Sequence, residues 1–132
     1  MKSFHLDIVT PDGMIFNGDA ESLLVHTCDG DVEIMAGHMD YIAAVSTGRA
    51  RVVTGGVSKV ASCSGGFLTV TREGVILAAV TFEFADSIDV DRAERAKERA
   101  EQKLSAATDA RDIALAKAKL ERALTRIKVA RM

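Results

Sequence analysis

Residues 87–132 read SIDVDRAERAKERAEQKLSAATDARDIALAKAKLERALTRIKVARM, and the spacing of apolar side chains in this run is helical twice over. Ile88, Ala93, Ala96, Ala100 and Leu104 make one stripe; Ile113, Ala116, Leu120, Leu124 and Ile127 make a second. Between them Ser105-Ala106-Ala107-Thr108-Asp109 offers a break and a fresh N-cap, Thr108 or Asp109, with Asp112 in the turn that follows. Asp89 suits the N-cap of the first helix, and Lys128 with Arg131 suit the negative end of the second. The expectation is two helices of about 17 to 20 residues, joined by a tight turn and lying antiparallel.

The seam of such a hairpin is mostly alanine. Alanine has the highest helix propensity, so each helix persists with little tertiary help. It also buries little area, so at ~25 cal/mol per Å² the helices grip one another weakly. Two readings stand: a close-packed, permanently docked pair, or helices that separate without melting.

Upstream of the hairpin the period changes to that of strands. Phe4, Leu6 and Ile8 alternate with His5, Asp7 and Val9, and Thr10-Pro11-Asp12-Gly13 has the composition of a tight turn. Short runs follow at 14–16, 20–26, 32–35, 41–45, 49–53, 57–63, 67–71 and 75–81, punctuated by glycines. Strands at this spacing predict an antiparallel β-sandwich or flattened barrel. Its core is expected to include Phe4, Phe16, Leu23, Ile34, Val52, Phe67, Val70 and Leu77. The chain is therefore read as α+β, with a sandwich over residues 1–86 and an α-helical hairpin over residues 87–132.

A formal charge of -2 conceals an asymmetry. Residues 1–87 carry 5 Lys/Arg against 11 Asp/Glu, a net of -6; residues 88–132 carry 12 against 8, a net of +4. Lys117, Lys119, Arg122, Arg126, Lys128 and Arg131 crowd the last sixteen residues, 117–132, opposed there only by Glu121. Such an end suits an acidic protein, a nucleotide, nucleic acid or a membrane surface, or it is simply a solvated face. The acidic sandwich and the few aromatic residues (five Phe, one Tyr, no Trp) argue against nucleic acid. No apolar run approaches the ~20 residues that span a bilayer, and no signal peptide is evident in the opening residues. Cys28 and Cys63 lack metal spacing and suit structural thiols in a reducing cytosol.

Catalysis finds little support. His5, His26 and His38 are scattered, no serine sits in a nucleophile elbow, and His26-x-Cys28 is not a specific ligand pattern. Gly55-Gly56 and Gly65-Gly66 lead into no helix and lack the Lys-Ser/Thr tail of a phosphate loop. The informative constellation crosses the hairpin. A turn centred near residue 107 places Arg92 opposite Arg122, with Arg126 one turn further along the same face. Three guanidinia together suggest a phosphate-bearing anion or an acidic partner, unless Asp89, Glu94 and Glu121 neutralise them.

These residues carry a family resemblance. VTPDGMIFNGDAESL (residues 9–23), GDVEIMAGHMDYIAAVSTG (30–48), GGFLTVTREGVILAA (65–79) and IDVDRAERAKERAE (88–101) resemble, in order, stretches of the epsilon subunit of bacterial F-type ATP synthase. The likeness runs over essentially the whole chain. Glu33, Ala36 and Asp40 depart from it, standing where the family commonly has Gly, Pro and Pro, which bears on the shape of that loop.

The resemblance implies a non-catalytic rotor subunit at the foot of the central stalk, coupling proton or sodium flow to ATP synthesis. The sandwich would bind the gamma subunit and rest on the ring of c subunits. The hairpin would fold beside the sandwich, or extend toward the alpha/beta hexamer and restrain ATP hydrolysis. No cofactor is required, but ATP is implied as a regulatory ligand of the compact hairpin, at Ile88, Asp89, Arg92, Ala93, Arg122 and Arg126, with Glu83 and Arg99 as further lining. The implied location is the cytoplasmic side of a bacterial membrane, peripheral and held through the complex. The competing reading is a free-standing nucleotide sensor in which the sandwich is only a scaffold.

Overall fold

A computed structural model describes residues 2–132; Met1 lies outside the described residues. The strands are β1 (Phe4–Thr10), β2 (Gly13–Ala20), β3 (Ser22–Thr27), β4 (Gly30–Met35), β5 (Tyr41–Ala44), β6 (Gly48–Thr54), β7 (Val57–Ser64), β8 (Phe67–Thr71), β9 (Gly74–Ala78) and β10 (Thr81–Phe84). They form two five-stranded sheets, ordered β2-β1-β9-β8-β5 and β10-β7-β6-β3-β4. Every pairing is antiparallel except β1 with β9. Leu6, Ile8, Leu23, Val25, Ile34, Val52, Leu68 and Leu77 are fully enclosed between the sheets.

Three of the hairpins share a Thr-x-Asp/Glu-Gly turn. In the first, the Thr10 hydroxyl donates to the Gly13 carbonyl (3.3 Å) and accepts from the Asp12 N–H (3.2 Å). Thr27–Gly30 and Thr71–Gly74 repeat the pair of bonds. Gly13 closes its turn at φ 126°, a conformation that side chains with a Cβ rarely adopt.

The strand reading needs two corrections. The run 75–81 is not one strand. The chain leaves the first sheet after β9 and enters the second as β10, and its hydrogen bonds change hands at the crossing. Ala79 N–H donates to the Val9 carbonyl (2.9 Å), whereas Val80 N–H donates to that of Ser64 (3.1 Å). Phe67, expected in the core, is 60 % exposed because Leu68 and Val70 take the inward positions of β8 and alternation turns Phe67 outward. Phe4 and Phe16 pack half-buried at the core's rim.

A single 3-10 turn (Ala85–Ser87) leads to helices α1 (Val90–Ala106) and α2 (Ala110–Ala130). Asp89 caps α1 by accepting from the Arg92 N–H (3.1 Å), and Asp109, rather than Thr108, caps α2 by accepting from Asp112 (2.8 Å). The seam is alanine, as the spacing predicts: Ala93, Ala100, Ala116 and Ala123 are buried. Leu124 departs from its predicted stripe and is 45 % exposed, because α2 turns Ala123 inward instead, while Ile127 and Val129 are buried near its end. α2 lies against β7 and β6, so the hairpin docks on the second sheet.

Candidate functional site

Strand alternation prepares one wall of the site. Phe82 points into the core, which leaves its β10 neighbours Thr81 and Glu83 on the outer face toward α2. Glu83 pairs in register with Ser62 of β7, itself buried with its side chain away from the core neighbours Ala61 and Cys63. Across from this wall, α1 supplies Arg92 and α2 supplies Arg122 and Arg126. These three arginines line one groove of about 480 Å³ together with Thr10, Asp12, Ile15, Ser62, Val80, Thr81, Phe82 and Glu83.

The charges in the groove are unequally matched. Arg126 donates to a single oxygen of Glu83 through Nε (2.8 Å) and approaches it through Nη2 at the same distance (2.8 Å). Neither Arg92 nor Arg122 has a carboxylate within 4.0 Å among the described residues. The acidic groups expected to neutralise the cluster are placed elsewhere: Glu94 pairs with Arg131 (2.9 Å), Asp89 is spent on its helix cap, and Glu121 lies outside the groove. Counting Arg92, Arg122 and Arg126 against Glu83 and Asp12, the lining carries one excess positive charge.

Of the predicted residues, Glu83, Arg92, Arg122 and Arg126 thus surround one space. Ile88 and Ala93 are buried where the hairpin begins and do not line the groove. Arg99 is exposed on α1 and does not line the groove. Sequence reasoning did not find Thr10, Asp12, Ile15, Ser62, Val80, Thr81 or Phe82. Asp12 lies eighty residues from Arg92, and only the crossing from β9 to β10 brings its turn to the hairpin. A hollow of about 610 Å³ elsewhere on the sandwich, lined by His5, His38, Arg72 and Glu73 among others, contains none of the predicted residues.

Chemically, the groove offers two guanidinia with donors to spare, hydroxyls at Thr81 and Ser62, and apolar surface at Ile15, Val80 and Phe82. That combination suits a phosphate-bearing ligand with an apolar portion, and the volume lies in the range of small-molecule sites. None of the three histidines lines it.

Residues 3–85 match the family model of the ATP synthase delta/epsilon chain beta-sandwich domain, and residues 86–131 match that of the long alpha-helix domain. Curated relatives called ATP synthase epsilon chain include that of Bacillus velezensis, 40% identical over 130 residues and 98% of both chains. The one from Staphylococcus aureus is 38% identical over 133 residues, 100% of this chain and 99% of its own. Among solved structures, a chain in the Euglena gracilis mitochondrial ATP synthase has a TM-score of 0.81 at 23% identity, covering 98% of this chain and 82% of that one. At that identity the likeness speaks for the fold.

Proposed function

The chain belongs to the ATP synthase delta/epsilon chain family, among its epsilon chains, and from that membership we propose that it is a non-catalytic central-stalk subunit whose docked hairpin is held by ATP. The sandwich binds the gamma subunit and rests on the c-subunit ring. The complex thereby holds the chain at the cytoplasmic face of a bacterial membrane; no helix among the described residues is long and apolar enough to cross one itself. The hairpin has two positions, docked on the second sheet or extended toward the alpha/beta hexamer, where its basic α2 restrains ATP hydrolysis.

The observation that carries the nucleotide part is the groove. Its guanidinia come from both helices and its opposite wall from the sandwich, so a ligand filling it touches all three and exists as a bound state only while the hairpin is docked. A ligand that binds one state alone shifts the equilibrium by RT ln(1 + [L]/Kd), about 2.7 kcal/mol at a hundredfold excess over Kd. A hairpin closed by an alanine seam is marginal enough for that to decide its position. Arg92 and Arg122 act as the phosphate donors, while Arg126 stays tied to Glu83.

Calorimetric titration of the full chain with ATP tests this. Saturable binding is expected, weakened roughly tenfold or more by Arg122→Ala, since a lost hydrogen bond to a charged group costs about 1.5–3 kcal/mol. Silence up to millimolar ATP, or an Arg122→Ala variant that binds as well as the parent, would overturn the nucleotide assignment.

A further inference from the structure

The arginines of the groove face a second, opposite charge. Asp12 sits in the Thr10–Gly13 turn on the sandwich wall. Among the described residues it is the one carboxylate of the lining without a cationic partner within 4.0 Å, Glu83 being engaged by Arg126. Its turn is fixed by the paired bonds of the Thr10 hydroxyl to Gly13 and to Asp12's own N–H. The backbone that carries Asp12 is thus fixed at the rim of the groove, and the side chain itself is exposed there.

An unpaired carboxylate across from a phosphate-binding wall repels a bare polyphosphate. It attracts one whose outer oxygens carry a divalent cation. Mg²⁺ in nucleotide sites is typically held by the phosphates and by one or two protein carboxylates, keeping several of its waters. A full protein cage is not needed, and no group of three or more metal-binding side chains exists among the described residues. The groove supplies the two halves of such an arrangement: guanidinia on the hairpin side for phosphate oxygens, and Asp12 on the sandwich side for the metal or its water shell. The complex also carries two fewer negative charges than the free triphosphate, closer to the single excess positive charge of the lining.

We propose that Asp12 is a specificity-determining residue that makes this groove select the Mg²⁺ complex of a nucleoside triphosphate over the free triphosphate. The inference rests on the nucleotide reading above and adds the ligand's charge state to it. It also ties the hairpin to the sandwich through the ligand: phosphate on α1 and α2, metal toward the β1–β2 turn.

The test is titration of the full chain and of Asp12→Asn with ATP, once in EDTA and once in excess Mg²⁺ at matched ionic strength. The parent should bind the Mg²⁺ form more tightly. Asp12→Asn should bind free ATP roughly threefold to tenfold more tightly, as removal of one opposing charge near a polyanion predicts, without gaining for the Mg²⁺ form. The preference then collapses. Asparagine suits this turn position, so an unchanged melting temperature accompanies the result. A parent indifferent to Mg²⁺, or a variant that shifts both affinities alike, overturns the role of Asp12 and leaves the nucleotide site standing. A parent that binds neither form overturns the site itself.

Discussion

Glu83 and Asp12 are both carboxylates at the edge of one groove, and their neighbours give them different work. Glu83 takes two close approaches from Arg126 on one oxygen and ties α2 to β10; at about a third exposed, such a pair is worth of order 1 kcal/mol at most. Asp12 is left for a ligand. Cys63 shows a third effect, that of burial on a lone group. Enclosure in the core pushes its thiol up to about 12. The folded chain then keeps a proton that the unfolded chain releases from about pH 9 upward, so this contribution is whole below pH 9 and is lost as pH rises toward 12. Stability should fall across that window with a slope approaching ~1.4 kcal/mol per pH unit. Cys63→Ala should flatten that part of an alkaline denaturant series, and parallel curves for both proteins would contradict the assignment. Residues on the helices were legible from spacing alone: Arg92, Arg122 and Arg126 converge because fifteen residues on either side of a turn meet across a hairpin. Asp12 was not legible, since nothing local in a Thr-Pro-Asp-Gly turn says which surface it will face.

At the scale of elements, the caps and the alanine seam were written in the sequence, and the strand crossing was not. Residues 75–81 are apolar throughout apart from Thr81, so no change of period marks the point where β9 ends and β10 begins; the change is visible only in where Ala79 and Val80 send their N–H groups. Leu124 teaches the same lesson for a helix. A stripe fixes a face to within about one residue, and close packing preferred the smaller Ala123. That seam is the natural place to bias the hairpin. Ala123→Leu keeps a strong helix former but overfills the contact, at a cost of about 1–3 kcal/mol to docking. Helical circular dichroism should persist while the docked form is depleted, and ATP hydrolysis by the assembled enzyme should drop. An unchanged hydrolysis rate would show that the position of the hairpin does not govern it. The turn end of the hairpin already leans the same way: Lys119 is held below its ordinary pKa first by hydrogen bonding with Lys103 on the facing helix, then by that residue's charge.

For the whole molecule, a body of net charge -6 carries a hairpin of net charge +4 on one of its two sheets. Opposite charge favours docking at long range and weakens with salt, whereas the groove adds a ligand-dependent term on top. The two-part division was legible because the hydrophobic period switches from 2 to 3.6 near the boundary. The face of the sandwich that receives the hairpin was not, since both sheets alternate alike. Amide hydrogen exchange on the full chain, with and without millimolar MgATP, is the most direct test of a hairpin clamped by nucleotide. Protection is expected to rise together on β10, on the first turns of α1 and on α2 from Ala116 to Ala130, with β4 and β5 unaffected. Exchange unchanged by ATP, or protection confined to the sandwich while α2 stays as open as before, would contradict it.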